Sequence, residues 1–179
     1  MIKEGYIDKS YSQMEIHTLD KLRLLKVEPK IDKRVFGFFI DFFMGKNIDR
    51  PFFEYLINDI PLSILIDRRD YAGALGSFGK LPDKHFALGL LKEKIPETET
   101  GRVPLYICPA CGDLGCNLIS VEISTDQNNF IWSNIGLETD YEYDPEDPED
   151  ELIETSPIDP FYFSKEEYRK VFCEFIDAV

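Results

Sequence analysis

Apolar and polar residues alternate along the second half of the chain in a way that predicts consecutive β-strands. In NLISVEIS, the apolar Val121 and Ile123 are separated by Glu122, which is typical of a half-buried strand. VPLYIC before this segment and FIWSNIGLE after it have strand-like compositions, and TDQNN predicts a turn between the last two. We therefore expect an antiparallel meander from Val103 to Glu138.

The spacing changes towards the C-terminus, where apolar residues recur every three or four positions. This spacing predicts that SKEEYRKVFCEFIDAV is an amphipathic helix, with Cys173 away from the centre of its apolar stripe. Ser164 and Glu167 have the spacing of a capping box at the start of this helix. The apolar stripe consists of Tyr168, Val171, Phe172, Phe175 and Ile176.

The first hundred residues give a mixed pattern of strands and helices. VFGFFIDFFMG predicts a buried strand. PFFEYLINDIPLSILI predicts two strands around a turn at Asn58 and Asp59, with a helix after Pro61 as the alternative to the second strand. HTLDKLRLLKV predicts an irregular segment or a short helix. DRRDYAGALGSF and DKHFALGLLKEKI predict two helices, the second capped by Asp83.

These elements together predict an α+β fold in one domain that spans residues 1–179. An antiparallel sheet would have helices packed on one side, together with the C-terminal amphipathic helix. Residues 1–100 would form a mixed strand and helix half, and residues 101–179 would contribute the meander, an acidic loop and the last helix. The 44% of hydrophobic residues provides enough apolar surface for a core.

Hydropathy indicates a soluble, cytoplasmic protein. The N-terminal MIKEGYIDKSYSQ lacks the apolar segment of a signal peptide. The most apolar run, Val35 to Gly45, contains Asp41 and is shorter than the ~20 residues that a bilayer requires. We therefore expect no membrane partner, and free or metal-bound cysteines rather than a structural disulfide.

The net charge of −14 comes from one part of the sequence. No Lys or Arg occurs among the 62 residues from Val103 to Ser164, which contain 14 of the 34 Asp and Glu residues. The other 20 acidic residues are balanced by the 20 Lys and Arg of the chain. Such a segment repels nucleic acid and accelerates association with a basic protein, although a long acidic loop can also serve solubility alone.

Three of the four cysteines lie close together in YICPACGDLGCNLI, at Cys108, Cys111 and Cys116. Cys-Pro-x-Cys-Gly is the usual sequence of a zinc knuckle, in which both thiolates point towards one ion. A closed zinc site needs four ligands, and these cysteines supply three. The fourth would have to come from Cys173, His85, His17 or Asp113.

Two other interpretations of the cysteines remain open. A thiol redox enzyme would use a Cys-Pro-x-Cys pair with a lowered thiol pKa, but glycines and acidic residues around the motif disfavour it. Alternatively, small side chains and glycines form a tight hairpin end and nothing more. Zinc is the one cofactor that the sequence leaves open.

Motifs for other chemistries are missing from the sequence. GALGSFGKL lacks the first glycine and the hydroxyl residue of a P-loop, and no Gly-x-Gly-x-x-Gly follows a predicted strand. His17 and His85 are the only histidines, and neither belongs to a nucleophile motif. The sequence therefore predicts no catalytic residues.

The segments GRVPLYICPACGDLGCNLISVEI, FIWSNIGLETDYEYD and PFYFSKEEYRKVF resemble a family of small bacterial proteins of unknown function. Its members share a Cys-Pro-x-Cys-Gly-Asp-x-Gly-Cys-Gly hairpin, a strand containing Trp and a closing helix. The resemblance covers Gly101 to Phe175, and Asn117 departs from it where the family has Gly. Some members are labelled oxidoreductase, but the resemblance implies a fold unit and no mechanism.

The size, the acidity and the absence of a catalytic set are similar to immunity proteins of bacterial toxin systems, including contact-dependent growth inhibition. This similarity implies a cytoplasmic protein, not an enzyme, that neutralises a basic toxin domain such as a nuclease. Tyrosines would anchor the partner while carboxylates steer it. The expected contact residues are Trp132, Glu138, Asp140, Tyr141, Glu142, Tyr143, Asp144, Glu146 and Asp147.

Overall fold

The computed structural model describes residues 18–27, 51–76, 83–96, 98, 100–138 and 153–179. Within these ranges the chain forms nine strands and three helices. The strands are β1 Leu22–Val27, β2 Phe52–Ile57, β3 Ile60–Pro61, β4 Ala72–Gly73, β5 Val103–Ile107, β6 Leu118–Thr125, β7 Asn129–Glu138, β8 Ile153–Thr155 and β9 Phe161–Ser164. The helices are α1 Leu62–Leu65, α2 Asp83–Leu90 and α3 Lys165–Ala178. The prediction of an α+β fold with antiparallel sheets and a C-terminal helix is confirmed.

The first sheet has the order β1-β2-β3 and is antiparallel throughout. Asn58 and Asp59 connect β2 to β3, with φ angles of +51° and +68°. Two positive φ angles are the signature of the two-residue turn that suits the twist of a hairpin, so the predicted turn is confirmed. The predicted second strand is present as β3, only two residues long. It continues into α1, the helix that was the alternative, so the segment contains both.

The second sheet contains the predicted meander β5-β6-β7, with β4 next to β5. The turn between β6 and β7 is stabilised by Asp126, whose Oδ1 accepts hydrogen bonds of 2.7 Å from the backbone amides of both Asn128 and Asn129. On the side away from β6, strand β7 pairs with two different strands. Its first half pairs with β9 and its second half pairs with β8.

Strand β8 was not predicted, because it lies in a stretch rich in proline and acidic residues. Its position depends on Gly136 in β7, which pairs with Thr155. A Cβ atom on Gly136 would lie 2.7 Å from the Glu154 carbonyl oxygen. The missing side chain therefore allows a close approach of the two backbones that a pattern of apolar residues does not reveal.

Two further predictions in the first half are wrong. HTLDKLRLLKV, expected to be irregular or a short helix, contains strand β1. DRRDYAGALGSF, expected to be a helix, forms a loop and strand β4 between β2 and β5. Its backbone bonds to both neighbours, since Phe53 N donates to Leu75 O at 2.7 Å and Ala74 N donates to Leu105 O at 2.8 Å. Tertiary pairing overrides helix propensity here.

The two longer helices confirm the sequence prediction, but one of the predicted caps does not form. Ser164 is the last residue of β9, and its side chain makes no capping hydrogen bond to α3. The backbone amide of Lys165 instead donates to the Asn128 carbonyl at 2.9 Å. Tyr168, Phe172 and Phe175 are buried and Cys173 is exposed, as the apolar stripe predicted. The side chain of Asp83 lies outside the described residues.

One cluster of buried apolar side chains joins both sheets and the helices. Trp132 lies in this cluster, with its ring centroid 5.7 Å from that of Tyr55 and 5.3 Å from that of Phe163. Among the helices of the described ranges, none has both the length and the apolar composition needed to cross a bilayer. The predicted strand in VFGFFIDFFMG lies outside the described residues.

Candidate metal centre

The three clustered cysteines lie in the connection between β5 and β6. Strand β5 ends at Ile107, immediately before Cys108, and strand β6 begins at Leu118, two positions after Cys116. The strands pair just below this connection, where Tyr106 lies opposite Ile119. The sheet therefore holds both ends of the cysteine loop at a fixed separation.

Two tight turns shape the cysteine loop. Gly112 has a φ angle of +63°, and its amide donates to the Cys108 carbonyl at 3.0 Å. This left-handed conformation favours glycine, which explains the Gly that follows Cys111. Asp113 forms the second turn: its Oδ1 accepts from Gly115 N at 3.3 Å, and its carbonyl accepts from Cys116 N at 3.3 Å. The second turn brings Cys116 back towards the first two cysteines.

The result is a cluster of three thiols. The Sγ atoms of Cys108, Cys111 and Cys116 all lie within 4.8 Å of one another. Two sulfurs bound to one tetrahedral zinc ion, at about 2.3 Å from it, are separated by about 3.8 Å. The three sulfurs are therefore close to the positions that one ion requires, and all four cysteines of the chain are free thiols.

The loop stabilises negative charge on Cys108. Desolvation raises its pKa, but hydrogen bonds from the backbone amides of Ala110 and Cys111, and from the thiols of Cys116 and Cys111, outweigh this effect and lower the pKa below its ordinary value. Amides directed at a sulfur are what a zinc knuckle provides for its first thiolate.

Cys116 behaves in the opposite way. Its side-chain hydrogen bond with Cys111, followed by desolvation and by its interactions with Cys108, raises its pKa to about 12. Without a cation, the loop thus favours the thiolate of Cys108 and keeps the proton on Cys116. Only a bound cation would make three thiolates stable side by side.

Tyr71, directly before strand β4, is a neighbour of this cluster. Ala72 pairs with Ile107, so Tyr71 lies next to Cys108 across the ladder. Burial raises the pKa of the Tyr71 phenol, and the charge of Asp70 raises it further. Arg68 lowers this pKa, whereas Cys108 and Cys116 raise it. No motif marked Tyr71, because the juxtaposition depends on the pairing of β4 with β5.

In the part of the chain that the structure describes, none of the expected fourth ligands lies with the sulfurs. Cys173 is exposed on α3, and Asp113 uses its carboxylate to hold Gly115. His85 lies on α2 with its Nδ1 in contact with Lys94 Nζ. Among the described residues, no other His, Cys, Asp or Glu joins the cluster. His17 lies outside the described residues.

Two of the expected partner contacts are corrected by the structure. Trp132 is fully buried in the core, and Glu138 is also buried, so neither side chain is at the surface. Trp132 was expected to contact the partner, but its side chain lies within the apolar core. The other expected residues lie outside the described residues, and their role stays a prediction: Asp140, Tyr141, Glu142, Tyr143, Asp144, Glu146 and Asp147.

Glu138 belongs to a buried polar cluster centred on Arg102, which no motif indicated. The Arg102 and Glu138 side chains are 5% and 9% exposed, and Arg102 Nε lies 3.4 Å from Glu138 Oε1. Arg102 Nε also donates to Ser120 Oγ at 2.7 Å, and its Nη1 donates to Glu122 at 2.9 Å. The sequence offered one indication of this role: Arg102 is the basic residue directly before the base-free segment.

A second buried polar residue was also missed. Glu54 is 1% exposed and accepts hydrogen bonds from the Tyr106 hydroxyl and, at 3.0 Å, from its neighbour Tyr55 N. Burial raises the pKa of Glu54, and the hydrogen bonds of Tyr106, Ser63 and Tyr55 offset this only in part. Nothing in the apolar sequence around Glu54 indicated that its carboxyl group accepts hydrogen bonds inside the core.

Comparisons with protein-family models, with curated proteins and with solved structures gave no match. The resemblance to small bacterial proteins with a similar cysteine hairpin therefore stays a prediction.

Proposed function

We propose that this protein is a zinc-binding module of the reducing cytoplasm, in which Cys108, Cys111 and Cys116 hold the ion. The observation that carries the proposal is the mutual approach of the three sulfurs to within 4.8 Å. Three thiolates form a soft donor set that selects zinc among the common divalent ions of a cell.

The architecture around the cysteines supports a structural role for the ion. The loop between Ile107 and Leu118 has few apolar residues, and Cys111 at its tip is exposed. An ion that bonds to both turns would fix the loop on the end of the β5–β6 hairpin. The free energy of metal binding would then stabilise the folded state.

Metal analysis of protein purified without chelator tests this proposal. We expect about one zinc per chain in the wild type. Cys111→Ser should lose the zinc, since it removes an exposed ligand without opening a cavity. The matched control is Cys173→Ser, which changes the one cysteine outside the cluster and should keep the zinc. A wild-type content far below one zinc per chain refutes the proposal.

A second candidate function, binding of a basic protein partner, is favoured by the distribution of charge. Within the described residues, three acids of the base-free segment have arginine partners: Glu122 and Glu138 contact Arg102, and Glu154 contacts Arg68 at 3.0 Å. Eight of the 14 acids of this segment lie in residues 139–152. The unbalanced charge is therefore concentrated in this short stretch.

The two ends of this stretch are anchored side by side. Glu138 at the end of β7 pairs with Ile153 at the start of β8. Residues 139–152 therefore connect two positions that are neighbours in the sheet. An acidic segment that joins two paired strands suits a basic partner. The proposed partner is the cognate toxin domain of a bacterial competition system, neutralised by this chain as its immunity protein.

Replacement of residues 139–152 by Asn-Gly tests this second function. A two-residue turn fits the Glu138–Ile153 pair, so the sheet should remain intact while the net charge changes from −14 to −6. The probe is the product of the neighbouring gene, assayed by co-purification at low and high salt. We expect the variant to lose binding; unchanged binding at both salt concentrations would contradict the electrostatic mechanism.

A further inference from the structure

We propose that the zinc ion keeps its fourth coordination position open, and that this position takes a neutral imidazole supplied by another molecule. This inference rests on the proposed function and extends it from a structural site to a site that receives a ligand. Its first premise is the number of ligands. Zinc prefers four, and the described part of the chain brings three sulfurs together and no fourth ligand.

The second premise is the position of the side chains that could have closed the site. Asp113 follows the knuckle directly, but its Oδ1 is committed to the Gly115 amide, which holds the loop in shape. His85 lies on α2, where it contacts Lys94 and the ring of Phe86. Cys173 lies on α3 and faces solvent. None of these three residues has a ligand atom within the group formed by the three sulfurs.

The cysteine cluster is accessible from solvent. Cys111 is exposed, whereas Cys108 and Cys116 are half-buried. An ion held by the three sulfurs would therefore lie near the surface of the loop. The open position is on the side that an incoming ligand can reach. Catalytic zinc sites share this arrangement of three protein ligands and one exchangeable position.

Charge decides the class of ligand. Three thiolates and one Zn²⁺ leave a net charge of −1. Two further acidic residues are near in sequence: Asp113 lies between Cys111 and Cys116, and Asp70 precedes Tyr71. A carboxylate or another anion would add to this negative charge, while an imidazole brings none. Three cysteines and one histidine are also an established donor set for zinc. The expected ligand is thus a histidine side chain of a partner molecule.

Cobalt(II) replaces zinc as the spectroscopic probe, because its visible bands report the number and type of ligands. The full chain is loaded with one Co²⁺ and titrated with imidazole, and acetate at the same concentrations is the matched control. We expect a saturable shift of the visible bands with imidazole and little change with acetate. His17→Ala and Tyr71→Phe should give the same starting spectrum and the same shift as the wild type.

Each other result overturns the inference in a recognisable way. In one such result, imidazole does not change the wild-type spectrum and either variant has an altered starting spectrum. The chain then closes the site itself, and the zinc module has no open position. An equal response to acetate refutes the preference for imidazole. Failure to bind Co²⁺ and Zn²⁺ at all removes the proposed function together with this inference.

Discussion

The indole Nε1 of Trp132 donates a hydrogen bond of 2.9 Å to the Tyr168 hydroxyl, which donates in turn to the Leu90 carbonyl oxygen at 3.0 Å. All three groups are buried. This short chain connects strand β7, helix α3 and the end of helix α2. It satisfies the polar groups of two large aromatic side chains inside the core.

Tyr168→Phe should therefore destabilise the protein more than its small change in volume suggests. The substitution leaves the indole N–H and the Leu90 carbonyl without their buried partner, which costs about 1–3 kcal/mol. Urea denaturation followed by the fluorescence of Trp132, the only tryptophan, measures the effect. Lys170→Ala on the exposed face of the same helix is the control and should cost less than about 0.5 kcal/mol. Equal midpoints for the two variants would contradict the role of the hydroxyl.

Replacement of Arg102 by Met should be among the most damaging single changes outside the apolar core. It leaves the Glu138 carboxylate buried with no cation, and the loss of one partner of a buried ion pair costs about 3–5 kcal/mol. Arg68→Met is the control, since the Arg68–Glu154 pair is largely exposed and should contribute less than about 1 kcal/mol. The urea midpoints of the two variants measure this difference. Comparable decreases in stability would show that the buried pair contributes no more than the exposed one.

Glu54 should give the protein a distinctive dependence on pH. Burial raises the pKa of Glu54 in the folded state above its unfolded value of about 4.3, so the folded state binds the proton more tightly. The stability that this proton provides is fully present below about pH 4.3 and is lost as the pH rises through the raised pKa. Stability curves of the wild type and Glu54→Gln should therefore diverge in favour of the variant as the pH rises.

Denaturation at a series of pH values measures this difference. Glu166→Gln on the exposed first turn of α3 controls for the removal of one charge. Curves for Glu54→Gln and the wild type that stay parallel from acidic to neutral pH would show that the carboxyl group is not held by the core in this way.

Two glycines should respond to alanine in opposite directions. A Cβ atom on Gly73 would lie 1.8 Å from the Phe53 carbonyl oxygen, so Gly73→Ala must separate β4 from β2 and should cost at least about 1–3 kcal/mol. Gly89 lies in helix α2, where a Cβ atom would meet only Val103 Cγ1 at 3.6 Å. Gly89→Ala should thus stabilise the protein by up to about 1 kcal/mol. Thermal unfolding compares them, and a neutral Gly73→Ala would mean that the strands are not in contact.

The thiols of the metal-free protein should differ in reactivity. The lowered pKa of Cys108 and the pKa of about 12 for Cys116 predict that an alkylating reagent at neutral pH modifies Cys108 before Cys116. Mass spectrometry of the peptides gives the order. Added zinc should slow the modification of Cys108, Cys111 and Cys116, while Cys173 serves as the internal reference. Modification of Cys116 first would contradict the hydrogen-bond arrangement of the loop.

The parts of the fold that could be predicted from sequence are those where one face of an element meets the core. The alternation at Val121 and Ile123 and the stripe from Tyr168 to Phe175 are local patterns, and the structure confirms both. The turn at Asn58 and Asp59 was also predictable, because few residues accept two positive φ angles.

Two of the strands that the sequence did not predict share a different cause. Strands β4 and β8 are two and three residues long, and each exists because a glycine allows a neighbouring backbone to approach. That information belongs to the pairing of distant segments. The same is true of the site: the cysteine spacing indicated three ligands, but the direction of Trp132 and the proximity of Tyr71 depend on which strands are neighbours.

Strand β7 has hydrogen-bonded neighbours on both sides along most of its length, with β6 on one side and β9 and then β8 on the other. Its backbone protons can reach solvent only if one of these strands departs, and the Trp132 contacts oppose that departure. In a hydrogen-exchange experiment the amides around Phe130 to Trp132 should be the last to exchange, at the rate of global unfolding. A single NMR signal from this strand would then report the stability of the whole protein under native conditions.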